Sequence, residues 1–206
     1  MSGKPELVVV RGVPGSGKTT WARAWVAEAE PGKRARVNRD DLRGELFGAV
    51  GDAYIYYFKD PELYVKERAI TAAEQGAATA LLEAGVSVVV DATNIRTRYV
   101  RAWREIAGDA GADFRIQDFT DVSVELCVLR DASGERCATG KSIGEDAVRS
   151  MHASMVSTLR QEQRAEPGAE ASGYRYVTHD DTLPRAWIVD VDGTLAVNTG
   201  RDPHDL

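Results

Sequence analysis

The stretch GVPGSGKTT, residues 12–20, follows an apolar run, LVVVR, and leads straight into an amphipathic one. Few short patterns restrict a fold more tightly. Gly12, Gly17, Lys18 and Thr19 fit G-x-x-x-x-G-K-[ST] without a mismatch. The glycines let successive N–H groups turn inward as a nest for phosphate oxygens, and a helix starting at Gly17 adds the positive end of its dipole. Lys18 then supplies a cation for the β and γ phosphates, and Thr19 a hydroxyl for Mg²⁺. The pattern predicts a nucleotide-binding loop made of Gly12, Val13, Pro14, Gly15, Ser16, Gly17, Lys18, Thr19 and Thr20. Its expected ligands are ATP, or another nucleoside triphosphate, and Mg²⁺. A chance glycine-rich turn would lack the context found here. A strand-like run precedes the loop, and Trp21, Ala22, Trp25, Val26 and Ala29 follow it at helical spacing.

The alternation continues along the chain. RARVN (34–38) reads as a weaker second strand. The segment from Asp60 to Gly85 reads as a helix, with Asp60 as N-cap, Pro61 at its first position and Gly85 closing it. Ile70, Ala73, Ala77 and Leu81 form its expected apolar stripe. VSVVVDATN (86–94) is the strongest strand, and a helix over 97–110 is expected to turn Tyr99, Val100, Trp103 and Ala107 inward. FRIQDFT (114–120) reads as a fourth strand. Strands alternating with helices predict an α/β fold, a P-loop-type parallel sheet with helices on both faces and the phosphate-loop strand central. Further on, Asp121 to about Arg130 reads as helical. Ser142 and Glu145 read as a capping box for a helix running to about Gln163. RAEPGAEASG (164–173) is polar and reads as linker, which sets the expected domains at 1–163 and 185–206, with 164–184 between them.

Composition narrows the partners. At 206 residues, with 43% hydrophobic and 28% charged residues, the chain has room for one full α/β domain and a small remainder. No apolar run reaches the roughly 20 residues that span a bilayer, and the start is too short in apolar residues for a signal peptide. Cys127 and Cys137 stand alone without metal or redox spacing, pointing to a reducing, cytoplasmic setting. The net charge of −6 argues against a broad basic face coating nucleic acid, though not against a narrow pocket for one strand end. A homo-oligomer stays open.

What receives the phosphate depends on NRDDLR (38–43). Asp40, at the carboxyl end of a strand, would stand on the rim of the phosphate loop, where a carboxylate can take a proton from a hydroxyl. Arg43 would lie on the same side of a helix starting at Asp40 or Asp41, placed for a substrate that carries phosphate. Either aspartate can equally serve as a helix cap. Asp91 ends the strongest strand, where it faces the metal's water shell or simply turns the chain into the next helix. Thr93 and Asn94 are candidate polar contacts for acceptor or nucleotide. Arg130 and Arg136 lie in a glycine-containing segment, LRDASGERCATGKS (129–142), that reads as a lid closing over ATP or as solvated surface. YIYYF (54–58) reads as core or as a stacking channel, and Arg96, Arg98, Arg101 and Arg104 as a solvated helix face or a phosphate-backbone contact.

GVPGSGKTTWAR, NRDDLR, AVRSMHASM and DVDGTLA, in that order, resemble the bacteriophage-type polynucleotide 5′-kinase/3′-phosphatase family across nearly the whole chain. The resemblance implies transfer of the γ-phosphate of ATP to a 5′-hydroxyl end of DNA or RNA in end repair. It places Lys18 on the phosphates, Thr19 near Mg²⁺, Asp40 as general base, Arg43 on the acceptor's 3′-phosphate, and Arg130 and Arg136 in the lid. A P-loop kinase for a small hydroxylated metabolite, nucleoside or antibiotic shares the loop and the base. A nucleic-acid-dependent ATPase is a further alternative. Asp190 and Asp192, in DVDGT behind the apolar WIV, resemble the first motif of haloacid-dehalogenase-type phosphatases. Only 12 residues follow Thr194, too few for the other motifs, so a truncated phosphatase fragment without activity of its own is expected.

Overall fold

The computed structural model describes residues 4–51, 53–164, 188–191 and 194–197. Two compact units divide the chain, Met1–Glu166 and Pro167–Leu206. In the first, β1 (Glu6–Arg11), β2 (Arg34–Asn38), β3 (Ser87–Asp91) and β4 (Asp113–Asp118) form a parallel sheet in the order β2-β3-β1-β4. The phosphate-loop strand β1 thus lies inside the sheet, where Leu7, Val8, Val9 and Val10 are wholly buried. That burial on both faces is why its sequence is a continuous apolar run rather than an alternating one.

Alternate side chains of β1 point to opposite layers. Val8 and Val10 pack with Ala22 and Trp25 of α1 (Lys18–Ala27) on one face. Leu7 and Val9 pack on the other with Ala78 and Leu82 of α4 (Leu63–Glu83) and Trp103 and Ala107 of α5 (Thr97–Asp109). A third cluster closes the carboxyl end of the sheet. There Val13 of the phosphate loop meets Cys127 of α6 (Val124–Asp131) and Val148 and Met155 of α8 (Glu145–Arg164). Between β2 and α4 stand α2 (Arg39–Phe47) and the short α3 (Ala53–Tyr57), and α7 (Gly134–Ala138) follows α6.

Several expected details shift. α4 begins at Leu63, because Asp60 accepts the N–H of Glu62 and pairs with Lys66 in the turn before the helix rather than at its N-cap. Its buried stripe runs Ile70, Glu74, Ala78, Leu82, moved round by a buried carboxylate that no apolar pattern reveals. Tyr99 stands outside, 45% exposed, while Val100, Trp103 and Ala107 turn inward. The cap of α2 is Asn38, whose side chain accepts from the N–H of Asp41, and neither Asp40 nor Asp41 caps. Ser142 does not cap α8: its hydroxyl donates to Asp131, whose Oδ2 also accepts the N–H groups of Ile143 and Gly144. In the second unit, β5 (Ile188–Val191) and β6 (Thr194–Val197) pair as an antiparallel hairpin. Asp190 lies on β5, Asp192 falls outside the described residues, and so does the expected linker beyond Arg164.

Candidate active site

The phosphate loop is fixed by neighbours on both sides. The N–H of Gly12 donates to the carbonyl of Thr93, 3.0 Å away, and Nδ2 of Asn94 donates to the carbonyls of Val10 and Ala92. Through these bonds the Thr93 carbonyl and the Asn94 side chain, of the two residues expected as contacts for acceptor or nucleotide, tie the end of β3 to the end of β1. Asn94 is 5% exposed and takes a positive φ, 45°, that its short polar side chain tolerates. Gly15 has φ 81°, and a Cβ there would lie 2.2 Å from the carbonyl oxygen of Cys127. Only glycine lets α6 press so close against the loop.

Lys18 is buried at the start of α1, its Nζ donating to the carbonyl of Val13 and to Oγ of Ser16. Burial pulls its pKa down to about 8, against the attraction of Asp91 and Asp40 and with the repulsion of Arg136. Asp91, Arg136 and Asp40, three of the expected site residues, are thus among the charges that act on this ammonium group. Thr19 Oγ1 donates to Asp91 Oδ1 at 3.3 Å, and Asp91 is 2% exposed. A hydroxyl and a carboxylate oxygen side by side at the loop suit Mg²⁺, which takes oxygen ligands and keeps several waters. Among the described residues no group of three or more His, Cys, Asp or Glu could hold a metal by itself. A metal here would depend on phosphate oxygens as well. Arg36, absent from the expected site, donates to the other oxygen of Asp91 and to Asp41.

At the start of α2, Asp40 Oδ1 accepts from Arg43 Nη1 at 2.6 Å and from the Tyr54 hydroxyl at 3.0 Å. Among the described residues nothing hydrogen-bonds Asp40 Oδ2. Arg43 forks onto both oxygens of Glu67 through Nε and Nη2, each at 2.8 Å, and its guanidinium lies 5.2 Å from the ring centre of Phe58. Tyr57 and Arg39 also donate to Glu67. Burial would raise the Glu67 carboxyl, yet Arg43, Tyr57 and Arg39 together outweigh it and hold the pKa at about 2. Tyr54, pushed up by burial and by the charge of Asp40, stays a protonated donor. Three of the five Arg43 donors are used, so N–H groups remain for a phosphate. YIYYF divides accordingly: Tyr54 and Tyr57 are buried in this network, whereas Ile55, Tyr56 and Phe58 are exposed.

The segment 129–142, expected as a lid or as solvated surface, is anchored at Asp131, which is 1% exposed. Its Oδ1 accepts from Arg136 Nε at 2.7 Å, and Arg136 also donates to the carbonyl of Lys141. Arg130, in the last turn of α6, is exposed and has no ion-pair partner among the described residues. Its Nη1 reaches to 3.9 Å from where a Cβ on Gly17 would be, over the phosphate loop. The loop before α8 meets α2 and the segment after it: Lys141 pairs with Asp41, and a Cβ on Gly140 would lie 2.9 Å from the carbonyl oxygen of Gly51. Glu67, Arg36 and Asp131 were not expected at the site: Glu67 and Arg36 act through Arg43 and Asp91, distant in sequence, whereas Asp131 pairs with Arg136 only five residues on.

A family model described as AAA domain matches residues 7–172. The chain belongs to that family. The AAA domain contains the sheet, the phosphate loop and the Asp40 and Arg43 network, and its P-loop fold implies nucleotide binding. Over 206 residues the chain is 28% identical to a protein of Autographa californica nuclear polyhedrosis virus described as a bifunctional polynucleotide kinase/RNA ligase. That match takes in 98% of this chain and 26% of the viral protein. A subunit in a structure of the Pnkp1/Rnl/Hen1 RNA repair complex is 33% identical, with a TM-score of 0.61, over 98% of this chain and 60% of its own. The AAA domain protein thus spans less than two thirds of either relative. No described helix is long and apolar enough to cross a membrane.

Proposed function

We propose that this protein is an ATP-dependent polynucleotide 5′-hydroxyl kinase, moving the γ-phosphate of ATP to the 5′-OH end of DNA or RNA in nucleic-acid end repair. The observation that carries the reading is Asp40. One of its oxygens is clamped by Arg43 and Tyr54, the other has no partner among the described residues, and its charge is felt by the buried lysine of the phosphate loop. A carboxylate held by one oxygen is oriented and still basic at the other, as a general base for a hydroxyl must be. The kinase/ligase and repair-complex relatives support the same substrate class.

In the proposed step the 5′-hydroxyl donates a hydrogen bond to Asp40 Oδ2, and its oxygen attacks the γ-phosphorus. The O–H proton passes to the carboxylate, the bond from phosphorus to the β–γ bridging oxygen breaks, and ADP leaves. Lys18 and the loop N–H groups hold the phosphate oxygens, while Arg130 and Arg136 bring positive charge over the γ position. Thr19 and Asp91 would hold Mg²⁺ together with phosphate oxygens, and the ion would supply further charge neutralisation. Arg43, with N–H groups to spare, takes the acceptor's 3′-phosphate.

The test follows the γ-phosphate label from ATP in the presence of a 5′-OH oligonucleotide. Label on the oligonucleotide supports the reading. Label released only as inorganic phosphate identifies an ATPase, and label retained on ATP points to a small-molecule acceptor.

A further inference from the structure

The cleft between α4 and α5 is not used by the proposed transfer chemistry. Its volume is about 470 Å³, within the range of sites for small molecules, and its lining includes Arg39, Tyr64, Glu67, Arg68, Thr71 and Tyr99. Arg39 and Glu67 belong also to the network that holds Arg43 and Asp40, so the cleft adjoins the acceptor side of the site. It lies on the α4–α5 face of the sheet, opposite the layer formed by α1.

Two facts about its walls need an occupant. Tyr64 on α4 and Tyr99 on α5 are 74% and 45% exposed, although each carries a large ring whose burial would stabilise the fold. Each is paired with a guanidinium, Arg68 at 5.9 Å from the Tyr64 ring centre and Arg98 at 5.0 Å from that of Tyr99. The charges at the floor are already matched. Arg39 donates to Glu67, Glu74 and Thr71, whereas Arg68 has no carboxylate partner among the described residues. The cleft therefore offers aromatic walls and, in Arg68, a cation without a carboxylate partner among the described residues, which together suit unstacked bases joined by phosphates.

We propose that the α4–α5 cleft holds the nucleotides following the 5′ end of a single-stranded acceptor, with bases against Tyr64 and Tyr99 and a phosphate on Arg68. The proposal rests on the kinase reading for the direction of the strand. It makes strand length a determinant of acceptor affinity, at a place separate from the reacting atoms. The two rings recognise the π-face that every base has, so the cleft favours length over sequence.

The experiment compares the full chain with Tyr64→Ala, Tyr99→Ala and Arg68→Ala on a nucleoside 3′-monophosphate and on 5′-OH hexamers of DNA and RNA. Stacking on one ring corresponds to a change in affinity of about fivefold to about 150-fold. Each Tyr→Ala variant should raise KM for the hexamers about tenfold and leave KM for ATP and for the mononucleotide unmoved. Tyr64→Phe and Tyr99→Phe should retain hexamer affinity. Arg68→Ala should flatten the salt dependence of hexamer binding by about one unit of log–log slope. Equal losses on mononucleotide and hexamer, or unchanged hexamer KM in the Ala variants, would overturn the proposal. Binding of a 3′-labelled hexamer, followed by fluorescence anisotropy, separates this from the kinase reading. If no 5′-OH accepts label while hexamer binding still needs both tyrosines, the kinase reading falls and the cleft stands. If label transfers but neither tyrosine affects hexamer binding, the cleft falls and the kinase stands.

Discussion

The phosphate half and the acceptor half of this site are built in opposite ways. The first is nine consecutive residues whose backbone makes the ligand surface, braced by the carbonyl of Thr93 and the close approach of Cys127. The second is a set of side chains from three helices, Asp40 and Arg43 on α2, Tyr54 and Tyr57 on α3, and Glu67 on α4. Hydrogen bonds and ion pairs join them, and the rings of Tyr54 and Tyr57 pack against Phe58. A backbone cradle tolerates almost no added volume and depends little on any one charge. A side-chain network tolerates volume and fails when a single charge is lost. Segment 129–142 touches both halves, through Arg130 near Gly17 and Lys141 on Asp41.

The largest effect should come from adding one methyl group to the cradle. Gly15→Ala combines a positive φ with a 2.2 Å collision against backbone and should cost about 3 kcal/mol or more. That lowers the melting temperature by about 10 °C in a domain of this size. Gly108→Ala, on helix α5 with open space around it, should instead stabilise by about 0.5–1 kcal/mol. If both alanines prove harmless, the cradle is less constrained than described.

Next in size is Glu67→Gln, which leaves Arg43 and Arg39 without their shared carboxylate. Acceptor KM should rise about tenfold and stability fall by about 2 kcal/mol, with KM for ATP unmoved. A rise in KM for ATP of the same size would erase the distinction between the halves. Tyr54→Phe removes one hydrogen bond to Asp40 and should lower kcat about fivefold, the equivalent of about 1 kcal/mol. Its protein should melt close to wild type.

The smallest effect is in pH. Burial holds Lys18 at about 8 rather than 10.5, so the amine has lost its proton in half the molecules near pH 8 and in most above it. A triphosphate beside it favours the charged form and raises that value, so binding takes up a proton in this range. ATP affinity, measured by calorimetry in two buffers of different ionisation enthalpy, should be flat below pH 8 and fall above it. For folding the sign is the reverse. The folded pKa is lower than the unfolded one, so between about 8 and 10.5 the unfolded chain binds more protons and stability rises with pH.

The two halves also differ in how much of each the sequence discloses. Gly12 to Thr20 can be read directly, because neighbours in sequence are neighbours in space and the loop demands particular residues at fixed spacing. The strands read well for the same reason: RARVN matches β2 residue for residue, and the apolar runs mark β1 and β3. Asp40 and Arg43 are visible because one helical turn joins them. Glu67, 24 residues beyond Arg43, carries no local signal, and neither does Glu74 in its otherwise apolar stripe. The bracing role of Thr93 and Asn94 is hidden for a related reason: their polar groups hold the loop through contacts 81 and 84 residues away. Tyr99 follows the helical period yet stands in the cleft, which no periodicity foretells.

The claim that joins the halves is that Asp40 activates the hydroxyl while Lys18 holds the donor. The most direct measurement is single-turnover transfer from ATP to a 5′-OH oligonucleotide by Asp40→Asn, with ATP affinity determined on the same protein by calorimetry. The expected result is transfer slowed by about 10²-fold or more with ATP affinity within about twofold of wild type. Transfer at the wild-type rate would contradict it, and so would a loss of rate that tracks an equal loss of ATP binding.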